Sequence, residues 1–216
     1  MLILVIGNKT YSSWSLRAWL ALHQTGLAFE EILVPLSQPG SRAALLNHSP
    51  AGLVPVLKHD QLTVWESLAI IEYLAELCPA AGLWPGDRDA RAHARSITAE
   101  MHAGFRALRQ NMPMNLRKSL PGRGMTPEVG PDIDRITAIW RACRSAFGGG
   151  GPYLFGAFSA ADAMYAPVAT RFRTYGVELD PVSAAYVEAI HDHPGFRAWQ
   201  EAAAQEPWVI EEDEVA

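Results

Sequence analysis

The sequence predicts a small mixed α/β domain followed by an all-helical one. Three observations carry this. The order strand, helix, strand, helix, strand, strand, helix fills the first 78 or so residues. Next comes Pro79–Asp87 (PAAGLWPGD), a proline- and glycine-rich stretch that reads as a linker. Beyond it no strand pattern recurs, and apolar residues repeat at helical spacing. The expected units are therefore residues 1–78, a linker over 79–87, and 88–216.

Leu2–Ile6 (LILVI) is apolar throughout, long enough for one buried strand, and ends at Gly7. Leu16, Trp19, Leu20 and His23 then recur at helical spacing, which predicts a helix over Trp14–Thr25 closed by Gly26. Phe29–Val34 reads as a second strand with Glu30 and Glu31 on an exposed side, and Ser41–Leu46 as a short helix. Pro55 has no N–H to give a sheet, so it begins the third strand rather than sitting inside it. His59–Gln61 makes a turn, Leu62–Trp65 the hairpin partner, and Glu66-Ser67 caps a helix over Leu68–Cys78 that Pro79 stops.

In the second unit, Ile97, Met101, Phe105 and Leu108 mark the buried stripe of one long helix, Arg88–Asn111. Pro113–Gly130 is irregular, and Ile133–Phe147 is helical. Gly148–Gly151 is a loop and not a phosphate cradle, since no strand precedes it and no Lys-Ser follows. Ser159 with Asp162 three residues on is a capping box, so Asp162 is structural; the apolar helix it opens runs to about Tyr175. Val182–His191 and Phe196–Gln205 are further helices, and Glu211–Glu214 is an acidic tail.

The composition narrows the function. Of 216 residues, 49% are apolar and 19% charged, which suits a globular protein. A net charge of −5 offers no footprint for nucleic acid or anionic lipid. Apolar runs fall short of a membrane span, and Leu2–Ile6 lacks the basic flank and cleavage site of a secretory leader. Cys78 and Cys143 have no motif spacing and are expected reduced, and His191-x-His193 lacks a third metal ligand.

Ser12 and Ser13 fall where a strand end passes into a helix start. Such a junction turns backbone N–H groups and the positive end of the helix dipole toward whatever docks there. Holding an anion and simply capping the helix both account for serines at that point.

Several motifs then agree in order: Ser12-Ser13-Trp14-Ser15-Leu16-Arg17, Val54-Pro55, Glu66-Ser67-Leu68-Ala69-Ile70-Ile71-Glu72-Tyr73-Leu74, and Ser159-x-x-Asp162. On these the chain resembles the cytosolic glutathione transferases over nearly its whole length, most of all the zeta-like serine-type bacterial members. The resemblance implies a thioredoxin-like first domain, glutathione as co-substrate, a small electrophile as second substrate, no metal, a homodimer and a cytoplasmic location. It implies a cis Val54-Pro55 bond, with the Val54 backbone meeting the cysteinyl unit. Glu66 would take the α-amino group, and Ser67 with the helix start the γ-glutamyl carboxylate. Ser12 would stabilise the thiolate by donating a hydrogen bond, with Ser13 and Tyr11 as rivals. Gln110 and Asn111 resemble a pair that reaches the site, and Met112, Met114, Leu116 and Arg117 would line the second pocket.

Two departures stand out. Trp14 replaces a small residue in the serine motif and is expected to narrow the mouth. The family's maleylacetoacetate isomerases hold a substrate carboxylate with a helix arginine; an ungapped count from Pro167 puts Thr174 there, with Arg171 and Arg173 facing elsewhere. A glutathione-dependent cis-trans isomerase and a glutathione-binding module with little turnover are the alternatives to a transferase. Disulfide exchange would need a cysteine at the first turn, and none is there.

Overall fold

The computed structural model describes residues 1–215. Its sheet has four strands, β1 (Leu2–Ile6), β2 (Phe29–Leu33), β3 (Val56–His59) and β4 (Leu62–Trp65), in the order β2-β1-β3-β4. β2 lies parallel to β1, whereas β3 and β4 run antiparallel to their neighbours. Alternation along β1 divides the core: Leu2, Leu4 and Ile6 join the large cluster, while Val5 packs with Val34, Leu45 and Val56 on the opposite face.

Helices α1 (Ser13–Thr25) and α3 (Ser67–Leu77) cover the first face, and the short α2 (Ser41–Leu46) brings Leu45 to the other. α1 starts at Ser12, which caps it, and ends at Gly26, whose φ of 69° closes the helix in the left-handed region that glycine adopts without strain.

The second unit holds α4 (Arg88–Ala103), α5 (Arg106–Asn111), α6 (Val129–Phe147), α7 (Ala160–Thr174), α8 (Pro181–Asp192) and α9 (Pro194–Ala204). The single long helix expected over Arg88–Asn111 is broken. Gly104 is extended, Phe105 has φ 57°, and α5 starts afresh with the Leu108 N–H on the Asp132 carboxylate at 2.9 Å. α6 begins earlier than Ile133, because Pro131 lies in its first turn, where a missing N–H costs nothing. Asp162 is structural, as its place in the motif requires: fully buried, it accepts from Leu154 N, Ser159 N, Ser159 Oγ and Tyr186 Oη at 2.7–3.0 Å.

Nearly all of α7 is buried, and it fastens the two units by packing on α1. Arg17 of α1 donates through Nε to the Met164 carbonyl of α7 at 3.0 Å. The loop after β1 is held from the far end of the chain. Glu206 accepts from the N–H groups of Lys9 (2.7 Å) and Thr10 (3.2 Å), and Trp199 Nε1 donates to the Lys9 carbonyl at 2.9 Å. No helix among the described residues is long and apolar enough to cross a membrane.

Candidate functional site

Two adjoining clefts open beside the N-terminus of α1. One, of about 250 Å³, is bounded by Val54, Pro55, Trp65, Glu66 and Ser67. The other, of about 360 Å³, is bounded by Tyr11, Ser12, Ser13, Met114, Arg109 and Arg171. Trp14, Leu53 and Val54 border both, so Trp14 stands between them.

In the first cleft, the Val54-Pro55 bond is cis. Glu66 holds φ at 70°, a region a non-glycine residue rarely occupies, and this turn starts α3. Ser67, in the first turn of α3, is 1% exposed, and its hydroxyl has no partner among the described residues. An orphan buried hydroxyl at a helix start, in a cleft, fits a carboxylate ligand.

At the start of α1 the backbone donors are largely spent. Ser12 N–H goes to the Asn8 carbonyl (2.8 Å), Ser13 N–H to the Tyr11 carbonyl (2.9 Å), and Ser15 N–H to Ser12 Oγ (3.3 Å). The junction therefore offers the cleft hydroxyls more than the unpaired amides expected there. Ser12 Oγ lies 2.7 Å from Ser15 Oγ, which also accepts the Gly7 N–H at 3.0 Å. Tyr11 lines the cleft, but its hydroxyl donates to Glu214 at 2.6 Å, and burial together with that carboxylate pushes its pKa up to about 12. Its proton is already committed.

The second cleft is cationic on one side. Arg171 donates through Nε to the Met112 carbonyl at 2.8 Å, while its buried Nη1 has no partner among the described residues. Burial and the neighbouring Arg109 pull its guanidinium down to about 10, so it stays charged at neutral pH. Arg109 lies 4.9 Å from the Trp14 ring centroid and Arg17 4.3 Å from it. Two guanidinium groups thus flank one indole, and Arg171 borders the same cleft.

Several expectations are corrected here. Arg171, one turn before the counted position, faces the cleft; an ungapped count could not fix the helical register. Thr174 instead donates to the Asn115 carbonyl (2.9 Å), and Arg173 is exposed and paired with Glu188. Gln110 is exposed and Asn111 turns its amide onto the Ala107 carbonyl at 2.9 Å; neither borders either of these two clefts, whereas Arg109 beside them borders the second. Met114 lines the second cleft, but Met112 lies in the core. Arg117 donates to the carbonyls of Ala203, Glu206 and Trp208, and Leu116 borders a different groove. Glu206 and Glu214, which hold the serine loop and Tyr11, carried no motif that could have marked them.

Cys78 and Cys143 are free thiols away from both clefts, and burial pushes Cys143 up to about 12, leaving it inert. Among the described residues no group of three His, Cys, Asp or Glu side chains is placed to hold a metal ion.

A thioredoxin-like sheet with a cis-proline cleft, joined to a helical bundle that closes a second cleft over it, defines a two-domain class of ligand-binding protein. Residues 11–77 match the sequence profile of the glutathione S-transferase N-terminal domain, and residues 91–202 that of the C-terminal domain. The chain belongs to the glutathione S-transferase family. A maleylacetoacetate isomerase of Rattus norvegicus is 30% identical over 178 residues, covering 80% of this chain and 79% of that protein. A probable maleylacetoacetate isomerase of Caenorhabditis elegans is 38% identical over 100 residues, 46% of each chain, so the match spans about half of that relative. Among solved structures, a glutathione transferase homologue from Burkholderia with bound glutathione superposes with a TM-score of 0.70 at 26% identity, over 94% of this chain and 97% of its own. A zeta-class maleyl pyruvate isomerase shares the fold, with a TM-score of 0.72 at 24% identity over 95% and 98% of the two chains.

Proposed function

We propose that this chain binds glutathione across the first cleft and lowers the pKa of its thiol with the Ser12 hydroxyl, for addition to a small electrophile held in the second cleft. The single observation behind this is the pair of helix starts opening onto adjoining clefts, each with a serine hydroxyl, Ser67 unpartnered in one and Ser12 at the mouth of the other. Ser67 and the α3 N-terminus suit the γ-glutamyl carboxylate, Glu66 the α-amino group, and the Val54-Pro55 turn the cysteinyl backbone. Ser13 stands beside Ser12 as a second donor.

A free thiol, with a pKa of roughly 8.5, is mostly protonated at neutral pH. A hydroxyl donor and a helix start favour the anion. Binding residues 1–78, a linker over 79–87 and a helical unit over 88–216 are the domains of this reading, with a homodimer in the cytoplasm as its form.

The test is ultraviolet titration of bound glutathione in wild type and in Ser12→Ala. A lowered thiol pKa that returns toward the free value in the variant supports the reading. Binding without a lowered pKa turns it into a carrier, and no binding ends it.

Arg171 favours a second reading, the isomerase. Its unpartnered Nη1, on a side chain that borders the same cleft as the serines, suits an electrophile that carries a carboxylate. Turnover of a cis-unsaturated diacid with no net consumption of glutathione would establish this reading over simple conjugation.

A further inference from the structure

The hydroxyls of Ser12 and Ser15 lie 2.7 Å apart, and either can donate to the other. Their surroundings decide between the two arrangements. Ser15 is fully buried, and its Oγ already accepts the Gly7 N–H at 3.0 Å. If Ser12 donated to it, the Ser15 proton would be left with no acceptor among the described residues, the costly way to bury a donor. If Ser15 donates to Ser12, every group is served. Ser12 Oγ then accepts twice, from Ser15 Oγ and from the Ser15 N–H at 3.3 Å, and its own proton is left for the cleft.

We propose that Ser15 is a positioning residue: its hydroxyl, fixed by the Gly7 amide, donates to Ser12 and leaves Ser12 able only to donate into the cleft. This rests on the reading of Ser12 as thiolate donor. The chain of donors, Gly7 N–H to Ser15 to Ser12 to ligand, runs one way, and each bond polarises the next. With both lone pairs occupied, Ser12 has no site left to accept a proton, so it stabilises negative charge and does not act as a base. Ser13 has no such partner: its hydroxyl makes no hydrogen bond among the described residues, so nothing there orients or polarises it. The difference separates two adjacent serines that sequence alone leaves equivalent.

The pKa of bound glutathione, read by ultraviolet titration, tests this in Ser12→Ala, Ser15→Ala and the double variant. The loss of one neutral hydrogen bond predicts roughly two- to tenfold less thiolate at neutral pH in Ser15→Ala. Affinity for glutathione at low pH, where the thiol is neutral, stays unchanged. In the Ser12→Ala background, Ser15→Ala has no further effect on the thiol, since the relay acts only through Ser12. Ser15→Thr, which keeps the hydroxyl, restores the wild-type titration. Should Ser15→Ala not fold, Ser15→Cys fills the same place with a poorer donor and moves the titration the same way by less.

A folded Ser15→Ala or Ser15→Cys protein with the wild-type thiol pKa, beside a Ser12→Ala protein whose pKa has risen, overturns the relay and leaves the donor role of Ser12 intact. Ser12→Ala with an unmoved pKa overturns the donor assignment, and the relay with it.

Discussion

Two serines of the same type, next to each other and both bordering the cleft, are set apart by what lies behind them. Ser12 leans on Ser15 and caps α1, whereas Ser13 makes no side-chain bond among the described residues. Ser12→Ala is expected to lower kcat/KM by up to about 10²-fold, the lower end for loss of one oxyanion donor, because Ser13 remains nearby. Ser13→Ala should do much less, and equal losses in steady-state assays of the two variants would remove the distinction. Arg171→Met is expected to raise KM for a carboxylate-bearing electrophile by about 10-fold or more, as a charge-assisted hydrogen bond warrants, and to leave an uncharged one unaffected. Ser12 and Ser67 were legible because local motifs mark helix starts. Arg171 was not, because whether a residue on a helix faces a cleft depends on register, and nothing local sets that register in the sequence after Pro167.

Element boundaries followed the sequence wherever a local device ends an element. Gly26 in the left-handed region, Pro79 after α3 and the Ser159–Asp162 box before α7 are such devices. The break between α4 and α5 escaped because the apolar stripe runs through it: Ile97, Met101, Phe105 and Leu108 are all buried on the same core despite the kink. A glycine inside a helical pattern shows no sign, from sequence, of being the place where the chain turns. In the fold Gly104 is indispensable in shape, for a Cβ there would lie 2.8 Å from the Glu100 backbone oxygen. Gly104→Ala should therefore destabilise by about 1–3 kcal/mol, the range for an overpacked site, measured by urea unfolding. An unchanged midpoint would show that the kink relaxes freely.

At the scale of the molecule, long-range ties dominate, and these the sequence hides. Glu206 lies almost the whole chain away from the Lys9 and Thr10 amides it accepts. Glu206→Ala leaves two buried N–H groups without partners and is expected to cost on the order of 2–4 kcal/mol, with the serine loop loosened; a melting curve and the glutathione titration check both effects. Acid stability is also a property of the whole. Burial holds His191 and His193 down at about 4 from an ordinary value near 6.5. The unfolded chain then binds more protons than the folded one between those values, so stability is full above about 6.5 and is lost as pH falls toward 4, on the order of 3 kcal/mol for each histidine. Asp162, pushed up to about 6 by burial, works the other way over much of that window. Two imidazoles against one carboxyl leave a net loss. Unfolding free energy that stays flat from pH 6.5 to 4.5 would contradict this balance.

The grip of Glu206, Trp199 and Glu214 on residues 9–11 also has a bearing on how the protein is made. A ribosome delivers the serine loop 190 to 203 residues ahead of these anchors. The loop therefore leaves the exit tunnel while those partners are still unmade, so a nascent chain lacks the finished loop however early its sheet forms. The loop is finished only when residues 199–214 emerge and fold back onto residues 9–11.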